Sequence, residues 1–307
     1  MIEVRTIAPG KKIAEAGVYD LPMEDYHAQP CDGPSVSSSG LRTVFSVSPA
    51  HFWAESSLNP NRDEQKDKGH FALGRAAHHL ILGEADFRRI FSVRPSEFPD
   101  WRTKASQEWK AKQALERKTV LVPADLDLIS GMAGSLATHP LVQHGILNGE
   151  IERSLLWRDP ETGIWLKSRP DAIPTDSGDF SDLKTTTSVA PDDIQRTIGD
   201  YRYDMQAAVV RRAAREVLGV EMVSFNLVFV EKTAPFCVSV VEIPPADIDM
   251  ADIDLQVALR TIAHCLETGK WPGPGGTQSD ARSIYISDWM RKRNEARRAF
   301  LEQELAS

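Results

Sequence analysis

Residues 163–187 read GIWLKSRPDAIPTDSGDFSDLKTTT. This stretch decides the fold. GIWLKSRPDAI at 163–173 and DFSDLKTT at 179–186 read as strands, and PTDSG at 174–178 reads as a turn between them. Upstream, IERSLLWR at 151–158 reads as a first strand joined to 163–173 by the turn DPETG at 159–163. The expectation is a meander of three short strands.

Carboxylates and an ammonium cluster on this meander. Residues two apart in a strand share a face, so Asp182 and Lys184 project together. The turn brings Asp171 alongside them. Two carboxylates offer the oxygen ligands that Mg²⁺ prefers, and that ion keeps waters and takes phosphate oxygens as further ligands. A lysine beside them supplies positive charge where negative charge grows during attack on a phosphodiester. Spacing alone equally accommodates an exposed hairpin carrying a surface ion pair.

Helices fit 191–199 and 203–217, strands 222–231 and 236–242, and a long helix 247–268. Upstream, a helix over 71–82 ends at Gly83, a strand fits 89–94, and 103–117, 123–137 and 140–147 are helical by composition. Ser39 suits the N-cap of a helix over GLRTVF, and 57–69 is loop-like. The fold class expected is α/β, a central mixed sheet flanked by helices with a helical N-terminal extension. The organisation expected is an irregular segment over 1–35, one domain over 36–272, and a tail with a charged helix, at 285–305, over 273–307.

The chain has 307 residues and a formal net charge of -8. That balance argues against a protein that coats nucleic acid but leaves room for a local DNA track. The charge is uneven. Residues 62–118 hold 13 Lys/Arg against 9 Asp/Glu, and 291–298 hold five basic residues against one Glu. The three cysteines, Cys31, Cys237 and Cys265, form neither a zinc pattern nor a disulfide framework. With no signal-like apolar segment and no run long enough to span a bilayer, the expectation is a cytoplasmic protein with no membrane partner. No phosphate-loop motif occurs, so no ATP motor is visible.

RPDAI followed by DLKTT resembles the PD-(D/E)XK nuclease signature, and its neighbours extend the resemblance. Tyr201-Arg202-Tyr203 followed by Gln206-Ala207-Ala208 is similar to the helix after the catalytic hairpin in RecE-type, exonuclease VIII-like exonucleases and the wider RecB-like nucleases. GRAAHHLIL at 74–82 resembles their GxxxH helix. PETGIWLKSRPD at 160–171, Glu152 in ERSLLWRD, and SSSGLRTVFSVSPAHFW at 37–53 match the same branch in the same order. The resemblance runs from about residue 24 to residue 272.

The resemblance implies a restriction-endonuclease-like core and roles for individual residues. Asp171 and Asp182 are implied metal ligands and Lys184 the catalytic lysine. His78 is the implied metal-binding histidine. His79 competes by position, since adjacent helical residues point about 100° apart. Glu152 matches an acidic position that could hold a second metal or order its water. Gln206 and Tyr203, three apart on one helix face, are implied to orient the lysine or contact phosphate. Arg75, Ser39, Arg42 and Thr185 are candidates for contacts to DNA. Mg²⁺ is the implied cofactor, with Mn²⁺ as a substitute given the imidazole. The implied activity is digestion of linear double-stranded DNA from the 5′ end, leaving 3′ single-stranded tails for recombination. Implied partners are DNA ends, further copies of the chain in a homo-oligomeric ring, and a single-strand annealing recombinase. Two alternatives stand beside it: a repair or Cas4-like nuclease without the iron–sulfur cluster, for which the cysteines are lacking, and an inactive nuclease fold that binds DNA.

Overall fold

The computed structural model describes residues 2–8, 10–62, 72–83, 87–151, 153–175, 177–276, 281 and 283–306. The described chain is mixed α/β. Its strands are β1 (Val4–Arg5), β2 (Gly17–Tyr19), β3 (Ser35–Ser37), β4 (Phe91–Val93), β5 (Thr119–Leu121), β6 (Glu150–Ile151), β7 (Ser154–Arg158), β8 (Trp165–Ser168), β9 (Ala172–Ile173), β10 (Asp179–Thr186), β11 (Ser224–Glu231) and β12 (Val238–Glu242). Its helices are α1 (Met23–His27), α2 (Ser38–Ser46), α3 (Pro49–Glu55), α4 (Ala72–Ile81), α5 (Phe87–Ile90), α6 (Lys104–Leu115), α7 (Pro123–Thr138), α8 (Pro140–Gln143), α9 (Pro191–Tyr201), α10 (Tyr203–Ala213), α11 (Pro245–Thr268) and α12 (Asp288–Leu305).

The strands form two five-stranded sheets, ordered β1-β2-β7-β8-β3 and β12-β11-β10-β9-β6, and the small pair β4-β5. The expected meander is therefore divided. Its first two strands form one long hairpin whose halves lie in different sheets: β6 pairs with β9, and β7 pairs with β8. The register is unchanged from Glu150↔Ile173 through Leu155↔Ser168 to Arg158↔Trp165. The reading of 163–173 as one strand is corrected. It breaks at Arg169, Pro170 and Asp171. Proline has no N–H to donate to a ladder, so the break falls where pairing cannot continue. Arg169 fills the gap, donating from Nε and Nη2 to the Ser154 hydroxyl at 3.0 and 2.6 Å.

β10 runs parallel to β11 along its full length, from Asp179↔Ser224 to Thr186↔Glu231, with α9 and α10 between them in sequence. Both strands are covered on both faces, which explains their apolar density. Phe180, Phe225, Leu227 and Phe229 enter a core shared with α2, α10 and α11. Leu183, Val228 and Val230 enter a second core with Ala76, Ala77, Ile129 and Met132 of α4 and α7. Alternation along one strand thus feeds two helical layers.

Helices α2 to α8 form the helical extension expected ahead of the hairpin, while β1, β2 and the start of β3 give the segment read as irregular over 1–35 edge pairs to one sheet. Their pairing is distant in sequence (Val18↔Leu155, Val36↔Leu166), so no local period announces it. The helix expected over 140–147 stops at Gln143. The N-cap of α2 is Ser37, not Ser39, whose hydroxyl lies 3.0 Å from that of Ser37. The end of α4 is followed by Gly83 at φ +73, a conformation that favours glycine. Contacts divide the chain into compact units Met1–Trp271 and Pro272–Ser307. α12, in the second, has no buried residue. Among the described residues no helix is long and apolar enough to cross a membrane.

Candidate active site

Asp171 sits at the break in the hairpin, and Asp182 and Lys184 sit two apart on the neighbouring β10. The Leu183 amide donates to Oδ2 of Asp171 at 2.5 Å, which fixes the first carboxylate against the strand that carries the second. Both carboxylates are buried, at 7% and 3% exposure. Nζ of Lys184 is in direct ion-pair contact with Oδ2 of Asp182. Oδ1 of Asp182 accepts from Nε2 of Gln206 on α10 at 2.6 Å. Both oxygens of Asp182 are thus engaged, one by charge and one by a neutral amide.

His78 approaches from α4, with Nδ1 3.6 Å from Oδ2 of Asp171. One turn earlier, a Cβ added to Gly74 would lie 3.2 Å from Oγ1 of Thr185 on β10. Glycine at that position lets the helix sit close to the strand, which brings His78 within reach of the hairpin. His79 points elsewhere. It is buried among Phe87 and Phe91, with ring centroids 5.9 and 5.8 Å away. Geometry therefore separates two histidines that sequence position left level.

Tyr203 forms the floor under the lysine. Nζ of Lys184 lies 4.8 Å from its ring centroid, and the ring packs on Phe229 and Tyr201. The Arg42 guanidinium lies 5.9 Å from the same ring and donates to the Tyr201 carbonyl at 2.6 Å. Arg75 donates to Oγ1 of Thr119 at 3.0 Å. The structure thus brings Asp171, Asp182, Lys184, His78, Gln206 and Tyr203 together, with Arg42 behind the tyrosine. Ser39 and Arg75 make contacts with other residues, and Thr185 faces α4. Glu152 lies outside the described residues.

Burial opposes charge on every member of the cluster, and the neighbours decide each outcome. For Asp171, the His78 charge and hydrogen bond, Lys184 and the Leu183 amide outweigh burial and hold its pKa low. For Asp182, burial and the Asp171 charge together outweigh Lys184, and its pKa is raised. His78 and Lys184 are both raised despite burial, His78 chiefly by Asp171 and Lys184 by Asp182 and then Asp171.

The donor chemistry fits a hard divalent cation. Two buried carboxylates meet from adjacent strands, and an imidazole stands beside the first. Asp171, Asp182 and His78 would hold the ion. Water and phosphate oxygens would complete the coordination of such an ion.

Sequence reasoning had Gly74 only as the first position of the GxxxH match, and the role of its missing side chain emerges once α4 and β10 are seen together. It missed Lys167. This buried residue donates from Nζ to the carbonyls of Tyr26 and Ala28 at 2.6 and 2.9 Å, at the end of α1. Burial pushes its pKa down to about 8, and burial pushes the neighbouring Cys31 thiol up to about 12.

A mixed sheet covered by helices, with Asp171, Asp182 and Lys184 converging at a bent hairpin, defines a nuclease fold of the PD-(D/E)XK superfamily. Residues 37–282 match the PDDEXK-like domain of unknown function (DUF3799), and the chain belongs to that family. A crystal structure described as "Putative exonuclease" from Eubacterium rectale has the same fold. It matches with a TM-score of 0.57 and 13% identity, over 87% of this chain and 96% of that one. No curated protein matches the chain.

Proposed function

We propose that the chain is a metal-dependent exodeoxyribonuclease of the RecE type, acting on the ends of linear double-stranded DNA. The observation that carries the reading is the pairing, at one break in a hairpin, of the Asp171–His78 contact with the Asp182–Lys184–Gln206 contact. Packing alone would not bury two carboxylates side by side, because each raises the cost of ionising the other.

When bound, Mg²⁺, or Mn²⁺ in its place, would act as a Lewis acid on the scissile phosphate and acidify a water. The chain's own groups have separable tasks. Lys184, held charged by Asp182, presents an ammonium to the negative charge that grows on the phosphate oxygens. Tyr203 holds that ammonium over its ring face. Gln206 fixes the rotation of Asp182, and the Leu183 amide fixes Asp171. His78 completes the donor set from the helical layer.

The resemblance in residues 24–272 supports the finer points of the reading: cleavage from the 5′ end, 3′ tails for recombination, a ring of copies around DNA, and an annealing recombinase as partner. The neighbour described as a "Putative exonuclease" supports end-directed rather than internal cleavage.

The test is digestion of end-labelled linear duplex with Mg²⁺ by wild type and Asp182→Ala. The expected result is loss of label with wild type alone, and equal loss in both proteins would overturn the assignment. Closed circular DNA should resist. Ends carrying 5′-phosphate should be preferred to 5′-hydroxyl, and native mass measurement should show an oligomer.

A further inference from the structure

The basic excess in residues 62–118 is not absorbed by the catalytic cluster, and part of it gathers around one indole ring. The Arg94 guanidinium lies 5.2 Å from the Trp101 centroid, and Nζ of Lys110 lies 5.0 Å from it. Trp101 stacks on Trp109 with centroids 6.3 Å apart, and Phe98 lies 6.4 Å from Trp109. Two cations and three aromatic rings therefore form one cluster between β4 and α6.

Several neighbouring cations are paired with acids. Arg102 pairs with Asp100, Lys104 with Glu108, Arg117 with Glu24 and Lys118 with Glu116. Among the described residues neither Arg94 nor Lys110 has a carboxylate partner. Nε of Arg94 is buried with no hydrogen-bond partner. The ring face attracts both cations, and with no acid beside them their charge is left to meet an anion from outside the chain. The cluster also connects to the catalytic layer. Arg94 follows β4, which pairs with β5, and Thr119 of β5 accepts from Arg75 on the helix that carries His78.

We propose that Arg94, Phe98, Trp101, Trp109 and Lys110 form a binding platform for single-stranded DNA. This inference rests on the nuclease reading in taking DNA as the ligand. Duplex backbone would call on the cations alone. Partly exposed aromatic rings beside unpaired cations are what an unpaired strand uses, with phosphates on the cations and bases against the rings. In an enzyme that unpairs the end it digests, such a platform would hold a strand outside the catalytic cluster.

The test is fluorescence anisotropy with labelled oligothymidine and with a labelled duplex, in EDTA, across a salt series. The proteins are wild type, Arg94→Gln, Trp101→Leu and the exposed-site variant Lys110→Glu. Trp101→Leu should weaken oligothymidine binding by roughly tenfold or more. Arg94→Gln should reduce the slope of log affinity against log salt by about 0.7. Lys110→Glu should weaken oligothymidine binding with an unchanged melting temperature, which keeps the test valid if Trp101→Leu misfolds. Wild-type affinity in Arg94→Gln and Lys110→Glu would overturn the platform, as would an equal loss on duplex and single strand. Cleavage of duplex by wild type in Mg²⁺ is read separately. Cleavage with unaltered oligothymidine binding in the variants overturns the platform alone, and selective weakening without cleavage overturns the nuclease reading alone.

Discussion

Nε2 of Gln206 lies 2.6 Å from Oδ1 of Asp182, so α10 grips the carboxylate that Lys184 contacts from the other side. Partners of this kind set the orientation of a ligand and commonly control metal affinity about 10- to 100-fold. Gln206→Ala should raise the Mg²⁺ concentration for half-maximal cleavage by about that factor. Gln206→Glu should do worse, because it places a third carboxylate against the pair. A metal titration of initial rates checks both, and an unchanged requirement in Gln206→Ala would count against the positioning role.

Asp171 and Asp182 should separate in a stability measurement although both are required for cleavage. Asp171 has a lowered pKa, so its ionised form adds stability above the unfolded pKa, and that stability is lost as pH falls through the folded value. Asp182 has a raised pKa, so stability is lost as pH rises from the unfolded to the folded value. At neutral pH in EDTA, Asp171→Asn should lower the melting temperature more than Asp182→Asn, in which loss of the Lys184 ion pair is offset by relief of the repulsion between the two carboxylates. Each should reduce cleavage by about 10²-fold or more. Thermal unfolding alongside the label assay reads the contrast.

The two adjacent histidines should fail differently. His78→Ala should lose cleavage and remain folded, since its imidazole faces Asp171. His79→Ala opens a cavity between Phe87 and Phe91 and should cost about 2–4 kcal/mol of stability. Its activity per folded molecule should be preserved. Denaturant unfolding together with rates corrected for folded fraction tests the pair. An active His78→Ala would move the metal-facing role elsewhere.

Lys167 should leave a mark on the pH dependence of stability. Its folded pKa of about 8 lies below the 10.5 of a free lysine, so the unfolded chain binds more protons between those values. Stability from this group therefore rises with pH across that window, by roughly 3 kcal/mol in all. Cys31 acts oppositely, because burial holds its thiol to about 12 against the 9.0 of a free thiol and stability falls above pH 9. Melting temperature should rise from pH 8 to 9 and then flatten. Lys167→Met should abolish the rise, and Cys31→Ala should extend it. A wild-type curve already falling between pH 8 and 9, and matched by Lys167→Met, would contradict the assignment.

What the sequence made legible follows the range of each signal. β10 is readable from end to end because turn residues flank it, and α11 because a long periodic run precedes Gly269. Asp171, Asp182 and Lys184 are legible together because a single turn separates them. The division of 163–173 between two sheets was not. Pro170 was visible, but Ala172 and Ile173 look like a continuation until their partners Ser181, Ile151 and Glu150 are known. β1 and β2 were hidden for the same reason. The GxxxH match favours His78 over His79, and the physical reason lies in the packing of α4 on both β10 and Phe91. Arg42, a candidate for contact with DNA, donates to the Tyr201 carbonyl and lies against the Tyr203 ring.

The unbroken register of the bent hairpin has a thermodynamic consequence. Asp171 is held on one side by the β7–β8 ladder and on the other by β9 paired to β10, so the carboxylates are preorganised by the backbone before any ion arrives. Metal capture then adds little to the cost of ordering the chain, unlike domains whose folding waits for zinc. Chelation should silence such a molecule while leaving its architecture standing, and readdition of the ion should restore turnover without a refolding delay.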